Sequence, residues 1–415
     1  MPTKNNSNID VSRYVAIGDS ITSGYTDGAL FYEGQLYAYS NLMAQQFRLL
    51  GGGDFTQPLM DKNSVGVGFY GNSKLVLKKT NDGNKQSGPY YIGASGDLSV
   101  FSENIYEQQG PFNNMSVPSA KLISLVLPGL GNPANEHGSF NPFFTRMASN
   151  PFSASILSDV LAINPTFFSL FIGNNDILTY ASSGGTIDFI TPLNGDVGVG
   201  FAKSLEEIVN ALTKNGAKGV MANLADITNV PYFNAIPYNG LHLNEIEAEL
   251  LQIKYKELGL NFTFGNNPFI IEDVKGIRQI EKGELIILYI QLDPNKEKYL
   301  KAELPIPKKY ILNTQEINTI QTALDSYNEV IEHLAKEKGL ALVDVNAFTK
   351  TLKTDIVFNE KELCSQYNER SVFSLDGLHL NSFGQAMLAN IFIKAINHTY
   401  QTQIELVDVL SYKNK

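Results

Sequence analysis

Tyr14-Val15-Ala16-Ile17-Gly18-Asp19-Ser20-Ile21-Thr22-Ser23-Gly24 decides how the rest of the chain is read. Val15 to Ile17 is a short apolar run, and Gly-Asp-Ser then breaks it, as a buried strand ends in a tight turn. A serine at the carboxyl end of a buried parallel strand sits where open α/β sheets place their chemistry. Alone, Gly-Asp-Ser is a turn more often than a site. Two further segments change the weight of it: Gly173-Asn174-Asn175-Asp176 and Asp376-Gly377-Leu378-His379.

Composition sets the bounds. The 415 residues suffice for one large α/β domain with insertions, or for two domains, and 43% hydrophobic residues is ordinary for a globular core. A formal net charge of −10 disfavours a nucleic-acid partner, which needs a concentrated basic surface. No apolar run approaches the roughly 20 residues that span a bilayer, so no transmembrane segment is expected. One cysteine, Cys364, permits no intramolecular disulfide and no Cys-based zinc site. Residues 1–12 read as a polar linker rich in Asn and Ser, without the apolar core of a signal peptide. Such a stretch is compatible with an exported protein, periplasmic or a cell-surface lipoprotein, whose signal has been removed, and the compartment stays open.

The chain then alternates strand and helix. Gly34 to Leu50 has helical spacing and stops at Gly51-Gly52-Gly53. Residues 51–111 lack a long period, with strand-like pieces at Leu75–Leu77 and Tyr90–Ile92, and read as an insertion. Phe112 to Ala120 is expected to be a strand leading into a turn and helix, and Phe152 to Ile163 a helix. Phe167 to Ile172 is continuously apolar and reads as a central strand covered on both faces. Phe201, Leu205, Ile208, Val209 and Leu212 mark a helix, and Gly219 to Leu224 the next strand. The rhythm breaks over 229–312, read as a second insertion, with a helical face at Leu243, Ile246, Leu250 and Ile253 and strands at Ile270-Ile271 and Leu285–Ile290. It resumes with a long helix, Thr314 to Lys338, a strand from Leu340 to Val345, and a closing helix, Asn381 to Ile396. Alternating elements of this kind predict a parallel sheet with right-handed crossovers.

A serine hydroxyl needs a base within hydrogen-bond reach and a third group to hold that base in the right tautomer. Asp376 and His379, three residues apart on one turn, can supply both to Ser20. The oxyanion of the tetrahedral intermediate needs fixed donors. The Ser20 N–H is one, and the Asn175 amide, just after the central strand, is a second.

These three segments together resemble the GDSL, or SGNH, hydrolase family of serine esterases and lipases. Gly18-Asp19-Ser20-Ile21 matches the first block with Ile for the usual Leu, Gly173 to Asp176 matches the G-x-N-D block, and Asp376 to His379 the D-x-x-H block. The resemblance covers roughly 13–50, 110–228 and 313–400. It implies a three-layer α/β/α sandwich with a mainly parallel, flavodoxin-like sheet, a single domain over 13–415, and a catalytic triad of Ser20, His379 and Asp376. Asn175 becomes an oxyanion donor, joined by a backbone N–H from the second block. There Ser119 stands where the family has glycine. The other serine-hydrolase signature, G-x-S-x-G, is absent, since Thr22 occupies the place of its second glycine.

The resulting expectation is a carboxylic ester hydrolase without metal or cofactor, acting on a small-molecule, glycan or lipid ester. The alternatives are an acyltransferase with the same triad, or a binding module on the same fold. Tyr232-Phe233 and Ile236-Pro237 are candidate acyl-pocket residues and equally ordinary packing. Asp176 is expected to support the Asn175 turn. His137, His242, His333 and His398 pair with no carboxylates at metal-ligand spacing, and Cys364 reads as a structural or incidental thiol.

Overall fold

The computed structural model describes residues 8–79, 86–135, 140–187, 189–352, 356–358, 361–363, 371–413 and 415. His137 and Cys364 lie outside them. The central sheet has four parallel strands in spatial order: β1 (Tyr14–Gly18), β2 (Phe167–Phe171), β3 (Lys218–Ala222) and β4 (Ala341–Val343). Tyr14 pairs with Phe167, Phe167 with Lys218, and Val220 with Ala341. β1 and β2 are buried along their whole length, as strands covered on both faces must be.

The stretch 112–120 differs from expectation. It runs beside the outer edge of β1 and forms one parallel bridge, Asn114 to Ala16. Met115 N–H donates to the Ala16 carbonyl and Val117 N–H to that of Gly18. A 3₁₀ turn over Leu122–Val126 comes next rather than an α-helix. Counting this edge segment, the order is that of a flavodoxin-like sheet, and the order reverses between β1 and β2. That reversal opens a crevice at the carboxyl ends of the strands.

Helices cover the sheet: α1 (Ser20–Ser23), α2 (Tyr39–Leu49), α3 (Asn175–Ser182), α4 (Phe201–Thr213), α5 (Thr314–Glu337) and α6 (Ser382–Tyr400). Tyr39 of α2 and Phe392 of α6 pack with Phe171 of β2, while Phe201 of α4 stacks on Tyr327 of α5 with ring centroids 3.8 Å apart. Capping sets the boundaries. Asn313 and Glu316 form a capping box at the start of α5. A Ser155–Ser158 box starts the short helix Ile156–Ala162 ahead of β2, so the helix expected from Phe152 is four residues shorter at that end. Ile9 and Val11, inside the stretch read as linker, are buried, and the Asn8 amide donates to the Tyr400 carbonyl.

The expected strand pieces at Leu75 and Tyr90 form one antiparallel hairpin, Leu75–Lys79 with Gln86–Tyr91. Between Leu241 and Ile311 lies a second hydrophobic cluster around Phe269, Ile271, Ile286 and Ile306. Its helix, Glu245–Lys254, turns the other way from expectation: Ala248 and Leu251 are buried, and Ile246, Leu250 and Ile253 face solvent. Ile270–Asp273 pairs with Gly276–Gln279, and Leu285–Ile286 with Ile311–Leu312, but Leu288–Leu292 is a 3₁₀ turn rather than strand. Among the described residues no helix is long and apolar enough to cross a membrane.

In this second cluster Arg278 lies between Asp273 and Glu284, at 2.6 and 2.7 Å. Burial raises both carboxyl pKa values, and the guanidinium more than offsets it, holding both below the usual carboxylate range. Removing one member of such a buried set strands the others. Arg278→Met is therefore expected to destabilise the fold by about 3–5 kcal/mol, read from urea unfolding midpoints. A loss within measurement error would show that water reaches the two carboxylates.

Candidate active site

β1 ends at Gly18, where no larger residue fits: a Cβ there would lie 2.6 Å from the Phe171 carbonyl oxygen. Asp19 then caps α1, its Oδ1 accepting the Ile21 N–H, and Ser20 becomes the first helical residue at the crevice. From the far end of the chain, the turn before α6 brings His379 to it. The Ser20 hydroxyl and His379 Nε2 are 2.8 Å apart, and His379 Nδ1 and Asp376 Oδ2 2.9 Å. A carboxylate only accepts, so Nδ1 carries the proton and Nε2 is free to accept from the serine. Ser20 and His379 are each less than a tenth exposed.

Gly377 makes this turn possible with a φ of +71°, which a glycine adopts without penalty. The chain then folds over the Asp376 carboxylate, whose Oδ1 accepts the N–H groups of Leu378 and His379, both at 2.8 Å. Gly28 N–H donates to Oδ2 at 2.8 Å. Burial pushes the Asp376 pKa up, but the His379 ring and these donors prevail and hold it at about 2.

The expected oxyanion donors converge from two further loops. Asn175 opens α3, and its amide donates one N–H to the Ala120 carbonyl, next to Ser119. Ser119 takes a φ of +63°, the left-handed conformation that a glycine would occupy freely. Among the described residues neither the Ser119 N–H nor the Ser20 N–H meets a hydrogen-bond acceptor. Asp176 holds the neighbouring loop, its Oδ2 accepting the Leu122 N–H.

Several supporting contacts were not expected from the sequence. The Asn174 amide donates to Asp19 Oδ2. Asp27 Oδ1 accepts the Leu375 N–H, and the Asp27 N–H donates to Ser374 Oγ. The Tyr25 ring lies 4.8 Å from the His379 ring. The signal that could have found this turn is Asp27-Gly28, a pair suited to left-handed backbone, and Asp27 does take a positive φ of 50°. His333 is paired with Glu337 on α5, and His242 with Asn266, both away from the site.

Two cavities adjoin the Ser20–His379–Asp376 hydrogen-bonded chain. One, about 60 Å³, touches Ser20, Asn175 and His379 and is walled by Phe171, Ile227, Val230 and Phe348. The other, about 440 Å³, is lined by His379 and Asp376 but not by Ser20 or Asn175. Tyr232 and Ile236 line this larger cavity, whereas Phe233 is fully buried in the core.

A family model described as GDSL-like lipase/acylhydrolase matches residues 14–392. No curated protein matches the chain. Similar solved structures include a variant of an acetyl xylan esterase from Geobacillus stearothermophilus, 14% identical, covering 96% of this chain and 99% of that one with a TM-score of 0.36. An extracellular lipase from Streptomyces rimosus is 13% identical, with coverages of 93% and 98% and a TM-score of 0.34. A protein described as a GDSL-like lipase from Parabacteroides merdae is 13% identical, with coverages of 95% and 99% and a TM-score of 0.35. At such TM-scores these likenesses carry no argument about this chain.

Two measurements test the geometry. Burial raises Asp19 and Asp27 to about 6 and Asp176 to about 7, against 3.8 for a free aspartate. A raised carboxyl stabilises the fold fully below its unfolded pKa, and that contribution is lost as pH rises through the folded value. Asp376, shifted the other way, matters only on the acid side, as pH falls below about 4 toward 2. Unfolding free energy should therefore decline between about pH 4 and about pH 7, and decline less in Asp176→Asn. An unchanged slope in that variant would mean that Asp176 is ionised throughout. Separately, a left-handed L-residue costs about 1–2 kcal/mol and a glycine returns part of that through the unfolded chain. Ser119→Gly should thus gain up to ~1 kcal/mol in urea unfolding, and a loss would mean that the Ser119 side chain contributes more than its backbone costs.

Proposed function

The chain belongs to the GDSL-like lipase/acylhydrolase family, and on that premise we propose that it cleaves carboxylic esters through an acyl-enzyme on Ser20. Membership makes the protein a carboxylic ester hydrolase; the residue roles and the substrate are our reading. The observation that carries it is the unbroken chain from Ser20 Oγ to His379 Nε2, and from His379 Nδ1 to Asp376.

Ser20 attacks the ester carbonyl as His379 takes its proton, and Asp376 holds the imidazole and balances the imidazolium that forms. The N–H groups of Ser20 and Ser119 and the second amide hydrogen of Asn175 receive the oxyanion. His379 then protonates the leaving alcohol, and water repeats the sequence to release the acid. The acyl group occupies the apolar cavity of about 60 Å³ beside Ser20 and Asn175. By the same measure one water needs roughly 10–15 Å³, so the cavity suits an acyl chain of a few carbons. Short-chain acyl esters, including O-acetyl groups on glycans, fit it better than long-chain lipids.

Hydrolysis of p-nitrophenyl esters from acetate to palmitate tests this reading. Activity should peak at short chains, and Ser20→Ala should lower kcat by ~10⁴-fold or more without unfolding the protein. Full activity in Ser20→Ala would remove the serine from the mechanism. A peak at palmitate would move the acyl chain out of the small cavity.

A further inference from the structure

The larger cavity, about 440 Å³, has the size of a ligand site. It meets the triad at His379 and Asp376, while Ser20 and Asn175 do not line it. In acyl transfer the imidazole hands its proton to the leaving oxygen, so the leaving group lies on the imidazole side. The acyl group is assigned to the small cavity because Ser20 and Asn175 line that one; Leu178, Leu378 and His379 are walls common to both.

The chemistry of the walls narrows what can sit there. Phe69, Tyr70 and Tyr91 come from the segment 51–111, Tyr232 and Tyr289 from 229–312, and Tyr25 from the turn after α1. Phe69 and Tyr70 meet edge to face at 5.4 Å, and Tyr70 is 84% exposed, so its ring face is open to a ligand. Tyr91 and Tyr289 both line the cavity, so the two segments meet at its walls. Apart from Asp376 and His379, no charged side chain lines the cavity among the described residues. An anionic or cationic alcohol would lose its hydration there without compensation. Five phenols and the Gln291 amide call for a ligand that offers hydrogen-bonding groups along with flat apolar faces.

We propose that the segments 51–111 and 229–312 together build the leaving-group site, and that it takes an uncharged, ring-bearing alcohol. A sugar and a phenol share that chemistry, each presenting a flat face to an aromatic ring and a hydroxyl to His379. The assignment rests on the acyl-enzyme reading above, because that reading defines which side the alcohol leaves from. It makes the alcohol, and not the acyl chain, the part of the substrate that these two segments select.

The test keeps the acyl group constant. Acetates of methanol, phenol and the 6-hydroxyl of methyl glucoside are compared in the wild-type protein, Tyr70→Ala and Tyr289→Ala. The preference for a ring ester over methyl acetate, as a ratio of kcat/KM, is divided by the wild-type ratio, which cancels each alcohol's own reactivity. At least a tenfold fall in both variants is expected for one ring ester or both, and which arm responds separates sugar from aryl. Tyr90→Ala, on the hairpin that carries Tyr91 and absent from the cleft lining, controls for disturbance of the segment 51–111. Ratios unchanged in Tyr70→Ala and Tyr289→Ala would overturn the proposal. Fluorophosphonate labelling of Ser20 reports the triad independently: a labelled serine with no ring preference sinks the cleft assignment and leaves the esterase reading intact. If Ser20 is not labelled, the acyl-enzyme reading fails. Titration of methyl glucoside and phenol into the wild-type protein and both Tyr variants then decides the cleft by itself, with absence of binding counting against it.

Discussion

A carboxylate withdrawn from water must find donors for its lone pairs, and Asp376 finds them at both ends of the chain. Its own turn supplies the N–H groups of Leu378 and His379, the imidazole supplies Nδ1–H, and the amino-terminal turn supplies Gly28 N–H. The Gly28 bond reaches across 348 positions of sequence. Around it Asp27 makes two more hydrogen bonds, to Ser374 and Leu375, between the same loops. The requirement of one buried charge thus fixes the loop that carries the imidazole against the loop just after the serine. The distance from Ser20 to His379 is a consequence of that fixing. Tyr232 N–H, donating to the Gly377 carbonyl, extends it to the wall of the larger cleft.

The features legible from the residues, and those that were not, divide along physical lines. The strands of the sheet were legible because a strand buried on both faces must be apolar throughout, and Phe167 to Phe171 is nearly so. Helices with one apolar face, such as α4 and α5, were legible for similar reasons. The segments carrying Ser20, Asn175, Asp376 and His379 stood out because turns at strand ends have their own residue chemistry. The helix over Glu245–Lys254 misled, since its apolar spacing marks a face that tertiary packing leaves in solvent. Phe112 to Ala120 misled in the opposite sense, as an edge segment makes a single bridge where its composition allowed a full strand.

The aromatic cleft was legible only in part. Tyr232 and Ile236 were marked as pocket candidates, but for an acyl group, and the other rings come from stretches far apart in sequence whose spacing does not show that they meet. Ser119 is intermediate between these cases. Its position in place of the family's glycine could be noted, but the left-handed backbone that gives this position meaning belongs to the folded loop.

The pairing of Ser20 with His379 also has a temporal side. Ser20 and His379 are separated by 359 positions, close to the full span of the sheet domain. A chain is made from its amino terminus, and contacts of such range close only after the intervening elements have collapsed. Ser20 therefore leaves the ribosome with β1 and α1, well before its hydrogen-bond partner His379. A partly synthesised or carboxyl-terminally clipped chain holds the nucleophile without its activation. For a hydrolase, this order of assembly ties reactivity to completion of the fold.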